Sequence, residues 1–104
     1  MSRALFRRSA QRNLSDLRAY LNRSSGNTSI SRKFILRIRA YCDHLASLPF
    51  EMGRDCSELA PNLRSATFEG YVIFFRYEGE RFEVVNIVEG HRDMPEYFSA
   101  ANPR

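Results

Sequence analysis

The chain has 104 residues, of which 43% are hydrophobic and 27% charged, and its formal net charge is +4. This length suits one domain, and the apolar content is high enough to exclude a wholly disordered chain. No apolar run reaches the roughly 18–20 residues of a membrane span. The first residues also lack the uninterrupted apolar stretch of a signal peptide, so we expect a cytoplasmic protein.

The basic residues are unevenly distributed. Fifteen of the sixteen are arginines, and Lys33 is the only lysine. Residues 1–39 hold ten basic residues against Asp16 alone, a charge of +9, whereas residues 40–104 hold six arginines against eleven acids, a charge of −5. This asymmetry predicts that one face meets an anionic partner. The alternative explanation is that the arginines only keep an amphipathic helix soluble and bind no partner.

The first half of the chain predicts a short strand and two helices. Residues 3–8 alternate as an edge strand does, and Ser9 is a candidate N-cap. Apolar residues then recur on one helical face, at Ala10, Leu14, Leu17 and Leu21. Thr28 or Ser29 can cap a second amphipathic helix, which ends before Pro49. The sequence therefore predicts a helical hairpin over about residues 9–48.

The second half predicts a sheet over about residues 63–90. Residues 51–58 are polar and aperiodic, as in a loop, and strands follow at Leu63–Glu69, Tyr71–Glu78 and Arg81–Glu89. The middle strand is apolar on both faces and should be central. Short glycine turns join the strands, so they pair antiparallel. We expect one α+β domain, 1–104, in the order β-α-α-β-β-β, with a further helical turn over 94–101.

Neither cysteine suggests a metal site or a disulfide. Cys42 and Cys56 lack the CxxC spacing and lack histidines placed as ligands, so we expect no metal, no cofactor and a reduced compartment. Cys42 lies in the apolar stripe of the second helix and should be a buried, inert thiol.

Several short stretches, in chain order, carry a family resemblance. They are residue 10 with 13–17 (A, NLSDL), 42–49 (CDHLASLP), 52–54 (MGR), 61–64 with 71–76 (PNLR, YVIFFR) and 88–93 with 97–98 (VEGHRD, YF). Together they resemble the RelE/ParE superfamily of bacterial toxins, and its ParE branch in particular. The chain departs from the pattern at Glu89-Gly90-His91, where His-Gly is usual, and in its arginine-rich first helix.

The resemblance implies a helical hairpin packed on a twisted antiparallel sheet that the first strand joins. It also implies the toxin of a type II toxin–antitoxin system, bound by a cognate antitoxin in a hetero-oligomer. Toxins of the ParE branch inhibit DNA gyrase by binding it, whereas those of the RelE branch cut mRNA on the ribosome. The leading hypothesis is a gyrase inhibitor without catalysis. The alternatives are a ribosome-dependent mRNA endonuclease and an inactive family member that still binds antitoxin.

Candidate catalytic residues exist only on the endonuclease hypothesis. Arg92 lies where that branch has a catalytic arginine, and His91 beside Asp93 could act as a general base. Against this hypothesis, Phe98 stands where a tyrosine hydroxyl is expected, and Val72 stands where a cation is expected. Asp93 could instead cap a terminal turn while Arg92 pairs with a sheet carboxylate.

Arginines are the main candidates for partner binding, because a guanidinium grips carboxylates bidentately. Arg54 is expected to pair within the chain, whereas Arg64 and Arg76 could bind a partner or pin the loop, and share a face if the strand register allows it. Direct nucleic-acid binding is not expected, because the aromatics of the basic helices lie on or near the buried stripes. The remaining partner-binding candidates are Arg12, Arg18, Arg37, Arg92, Tyr97 and Phe98.

Overall fold

A computed structural model describes residues 3–90, which form two helices and a five-stranded sheet. The elements are β1 (Ala4–Phe6), α1 (Arg8–Ser25), α2 (Thr28–Ser47), β2 (Arg54–Asp55), β3 (Arg64–Phe68), β4 (Tyr71–Glu78) and β5 (Arg81–Glu89). The strand order across the sheet is β1-β5-β4-β3-β2. The predicted α+β class, the helical hairpin and the last two strands are confirmed.

The sheet is mixed, so the prediction of an antiparallel sheet is wrong for one strand. β1 pairs parallel to β5, with Phe6 opposite Val84, while the other neighbours pair antiparallel. The helical hairpin separates β1 from the other strands, and such a long connection permits a parallel pair, which a tight turn forbids. The segment predicted as a loop contributes β2, whose two residues are too few for a periodic pattern.

The helix ends differ from the predicted caps. α1 begins after Arg7, which provides no side-chain cap, so the prediction of Ser9 as N-cap is wrong. Asn27 caps α2 by accepting hydrogen bonds from the backbone N–H groups of Ser29 and Ile30, in place of the predicted Thr28 or Ser29. The helical turn predicted over 94–101 lies outside the described residues.

The core lies mainly between the helices and the sheet. On this side Ile38 and Cys42 are fully buried, and the rings of Phe75 and Phe82 stack with centroids 4.6 Å apart. The opposite face of the sheet carries a smaller apolar cluster that includes Phe74. Adjacent residues of β4 thus pack into two different apolar clusters, because successive side chains of a strand point to opposite faces. This arrangement explains why the central strand is apolar throughout.

Polar side chains of α1 fix the helix onto β5. The β4–β5 register slips at Phe74/Phe75, which leaves Val85 of β5 without an opposite residue. Ser9 donates to the Val85 carbonyl (2.5 Å), and one turn later Asn13 accepts from the backbone N–H of Ile87 (2.9 Å). Asn13 also accepts from the side chain of Asn86 (2.9 Å). These contacts satisfy backbone groups of β5 beyond Val84, the last residue that pairs with β1.

Candidate partner-binding surface

The outer surface of α1 carries exposed guanidinium groups. Arg8, Arg12, Arg18 and Arg23 are all exposed. Within residues 3–90, none of these four side chains belongs to an ion pair. These four exposed residues make the solvent side of α1 cationic, and together they are called here the α1 arginine surface. Arg12 and Arg18, both predicted for partner binding, belong to it.

The arginines of α2 are held against neighbouring side chains. Arg37 binds the carboxylate of Glu69 in the β3–β4 turn at 2.5 and 3.3 Å, and its guanidinium lies 5.0 Å from the centre of the Phe34 ring. Arg39 lies 4.8 Å from the centre of the Phe6 ring on β1. Both arginines thus link α2 to the sheet side of the molecule, and the guanidinium group of Arg37 already has a partner within the fold.

Arg64 pins the loop that follows α2. Its Nε donates to the Met52 carbonyl (2.7 Å) and its Nη2 to the Gly53 carbonyl (3.0 Å), and the Glu51 carboxylate lies 3.9 Å from its Nη1. The backbone N–H of Met52 in turn donates to the Tyr77 hydroxyl (3.0 Å). Of the two roles left open for Arg64, the structure supports the intramolecular one.

Arg54 and Arg76 lie in different surroundings. Arg54 pairs with Glu58 at 3.5 Å on the surface, as predicted. Arg64 of β3 lies opposite Phe75 of β4. Arg76 follows Phe75 on β4 and therefore points to the other face of the sheet. The two arginines do not share a face. The Nε of Arg76 is buried and has no hydrogen-bond partner within residues 3–90.

Glu83, opposite Arg76 on β5, is bound by other arginines. Its carboxylate lies 3.1 Å from Nη1 of Arg7 and 3.2 Å from Nη2 of Arg81. Arg92, for which a sheet carboxylate of this kind was the predicted partner, lies outside the described residues. So do three further candidates, His91, Tyr97 and Phe98.

A groove of about 500 Å³ lies on the helix-free face of the sheet. Its walls include the hydroxyls of Ser65 and Thr67 and the apolar side chains of Val72 and Phe74. In the part of the chain that the structure describes, its only lining guanidinium is that of Arg54, whose charge Glu58 offsets. Cleavage of RNA needs an acid, a base and cations at the phosphate, and the charged side chains among the described lining residues are those of Arg54 and Glu58.

The two cysteines are free and buried. Burial, and then the charge of Asp43, raise the pKa of the Cys42 thiol to about 12, against a smaller opposing effect of Arg39. The predicted burial of Cys42 is confirmed, and because the thiolate is the reactive form, the raised pKa disfavours its reaction. Cys56 donates to the Ser65 hydroxyl at 3.2 Å. Over residues 3–90, no group of three or more metal-binding side chains comes together, and no helix is long and apolar enough to cross a bilayer.

Sequence reasoning missed the residues that join distant segments. Ser9 and Asn13 flank the apolar stripe of α1 at a spacing of four, and polar residues beside such a stripe are the signal that could have indicated a polar contact with the sheet. Gly53 is the other omission. Its φ is +84°, and an added Cβ would lie 2.6 Å from the Phe75 ring and 2.7 Å from the Ser65 carbonyl.

Comparisons with known proteins agree with the fold. A family model described as the ParE toxin of the type II toxin–antitoxin system, parDE, matches residues 4–94. A solved chain from the chromosomal ParDE TA system of P. aeruginosa matches with a TM-score of 0.72 and 20% identity, covering 86% of this chain and 96% of that one. At this identity the likeness establishes the architecture alone. No curated protein sequence matches.

Proposed function

This chain belongs to the ParE toxin family of type II toxin–antitoxin systems, and on that premise we propose that it inhibits DNA gyrase by binding it, without catalysis of its own. A cognate antitoxin, with which it forms a hetero-oligomer in the cytoplasm, neutralises it. The observation that carries the proposal is the α1 arginine surface, whose guanidinium groups are exposed and unpaired within residues 3–90. Such a surface is suited to binding another macromolecule.

The charge of this surface favours an acidic protein segment as its partner. Complementary charges speed the encounter of two proteins and orient them before contact. Within residues 1–39, Asp16 is the only acid among ten basic residues, so the attraction is not cancelled locally. Arg12 and Arg18 therefore contact the antitoxin or gyrase, whereas Arg37, Arg54 and Arg64 act chiefly within the fold, where their guanidinium groups are already bound.

Four further candidates complete the proposed contact set. Arg76 follows Phe75 on β4 and lies on the helix-free face of the sheet, where the outer nitrogens of its guanidinium group can donate to a partner's carboxylate. Arg92, Tyr97 and Phe98 belong to the part of the chain where the family motif ends, and we assign them to partner contact on that resemblance. The groove beside β3 has apolar and hydroxyl-bearing walls as well as the Arg54–Glu58 pair, and such walls are suited to contact with a protein.

A DNA supercoiling assay tests the proposal. Purified toxin added to gyrase and relaxed plasmid should abolish supercoiling or trap cleaved DNA, and prior mixing with the antitoxin encoded in a neighbouring reading frame should restore activity. The double variant Arg12→Ala/Arg18→Ala should inhibit less, while Glu78→Gln/Glu80→Gln, a control pair on the β4–β5 turn, should inhibit fully. Unaffected gyrase together with ribosome-dependent mRNA cleavage would overturn the proposal.

A further inference from the structure

The outer edge of β1 carries backbone groups that point away from the sheet. β1 is the last strand on its side and pairs with β5 alone. In that pairing the backbone N–H of Arg7 donates to the Val84 carbonyl at 2.9 Å. Because the direction of the backbone groups alternates along a strand, those of Arg7 and Leu5 point towards β5. Those of Ala4 and Phe6 point outwards, where a strand of another chain can pair with them.

Side chains from both helices bind backbone groups at this edge. The Asp43 carboxylate on α2 accepts from the backbone N–H of Ala4 at 2.9 Å. The side-chain amide of Gln11 on α1 donates to the Phe6 carbonyl, also at 2.9 Å. Both distances are those of well-formed hydrogen bonds. The N–H at one end of the edge and the carbonyl at the other are therefore already engaged within the chain.

The side chain at the centre of the edge is apolar and exposed. Leu5 is 48% exposed and lies opposite Glu83 of β5, whereas its neighbours Ala4 and Phe6 pack against the main core. Successive side chains of a strand point to opposite faces, so Leu5 lies on the helix-free face. An exposed apolar residue on an edge strand favours association with a further strand, and this makes the engaged backbone groups important.

The strand that fits this edge is β1 of a second copy, paired antiparallel about Leu5. In that arrangement Ala4 of each copy lies opposite Phe6 of the other, and such residues exchange both of their N–H···O bonds. The two Leu5 side chains lie directly opposite and are close enough to pack. Asp43 holds the Ala4 N–H and Gln11 holds the Phe6 carbonyl, so one of the two bonds in each exchange is blocked at both ends.

We propose that Asp43 and Gln11 close the β1 edge and thereby prevent the chain from pairing with a second copy of itself. Charge alone does not close the edge. Arg3 would lie opposite Arg7 of the other copy, and like charges directly opposite are destabilising. However, Arg7 is bound by Glu83 at 3.1 Å, which reduces its repulsion. The proposal concerns the free chain and does not depend on gyrase being the target.

Sedimentation velocity of the full chain over a concentration series tests this inference. Asp43→Ala/Gln11→Ala should form a concentration-dependent dimer at concentrations where the wild type remains a monomer. Asp43→Asn is the matched control, because it removes the same charge as Asp43→Ala but keeps an oxygen that can accept from Ala4, and it should remain monomeric. Adding Leu5→Lys to the double variant should weaken the dimer at least tenfold, because two like charges would then lie directly opposite.

Three outcomes would overturn the inference. A folded double variant that stays monomeric throughout the series would show that the two side chains do not guard the edge. Equal dimerisation of Asp43→Asn would assign the effect to charge, and a dimer unaffected by Leu5→Lys would place the contact elsewhere. If the double variant does not fold, Asp43→Leu/Gln11→Met is the second test. It keeps the side-chain volumes without the polar atoms and should dimerise in the same way.

Discussion

Arg12 on α1 and Arg64 on β3 carry the same guanidinium group in very different surroundings. Arg12 is exposed and joins no ion pair within residues 3–90, whereas Arg64 is three-quarters buried and donates to two loop carbonyls. Since an exposed charge interacts weakly with its own fold, Arg12 is free to bind a partner. The hydrogen bonds of Arg64 instead hold β2 and its loop in place. Function and stability thus fall to two separate sets of arginines.

The largest expected loss of stability comes from a substitution in the loop that Arg64 holds. Gly53→Ala should destabilise the fold by roughly 3 kcal/mol, because overpacking and a left-handed backbone each cost about 1–3 kcal/mol. Gly70→Ala is the matched control, since Gly70 has a similar φ of +86° but no atom within 4 Å of an added Cβ. Urea unfolding measures both. If both variants lost the same free energy of unfolding, the close approach of Gly53 to Phe75 and Ser65 would not limit the side chain at this position.

Arg64→Ala should cost about 2 kcal/mol, since a hydrogen bond to a charged group contributes roughly 1.5–3 kcal/mol. Arg12→Ala should change the free energy of unfolding by less than about 0.5 kcal/mol, as is usual for exposed positions. Urea unfolding of the two variants, measured side by side, sharpens the comparison directly. A loss at Arg12 as large as that at Arg64 would contradict the division into two sets.

The double variant Arg12→Ala/Arg18→Ala should slow association with the antitoxin severalfold, because a surface charge acts mainly on the rate of encounter. Stopped-flow measurement in low and high salt checks this expectation. The difference between wild type and variant should shrink as the ionic strength rises, since salt screens exposed charges. A salt-independent difference would indicate a short-range contact in place of electrostatic steering.

The smallest effect is expected for the pair between α2 and the β3–β4 turn. Both side chains are about half exposed, and exposed ion pairs contribute about 0–1 kcal/mol. The double-mutant cycle of Arg37→Ala and Glu69→Ala should therefore give a coupling energy below about 1 kcal/mol. A larger coupling, measured by thermal or urea unfolding, would place Arg37 with Arg64 in the stabilising set.

Long periodic segments were predicted well, because their signal is contained in neighbouring residues. The stripe of α1 and the alternation of Arg81–Glu89 each extend over many residues, and both elements appear at the expected positions. The helix starts were less accurate. Ser9 has the properties of an N-cap, yet its hydroxyl binds Val85, more than seventy residues away. Local preference alone could not reveal such a competing partner.

The candidate site was predicted only in part, because some of its properties depend on contacts between distant residues. The charge of residues 1–39 can be counted from the sequence, and the exposure of Arg12 and Arg18 agrees with it. The roles of Arg64 and Arg76 depended on strand register, which places them on opposite faces. The groove on the helix-free face was not visible at all, because Arg54 and Phe74 reach it from segments about twenty residues apart.

The order of apolar and charged residues along the chain was sufficient to predict the helical hairpin and the central strand, and to identify the basic first third and the family resemblance. Each of these properties depends on residues a few positions apart. The parallel pairing of β1, the division of the arginines and the groove on the helix-free face arise only when segments separated by tens of residues meet. Such contacts depend on register and packing, and it is these that determine which guanidinium groups remain free to bind a partner.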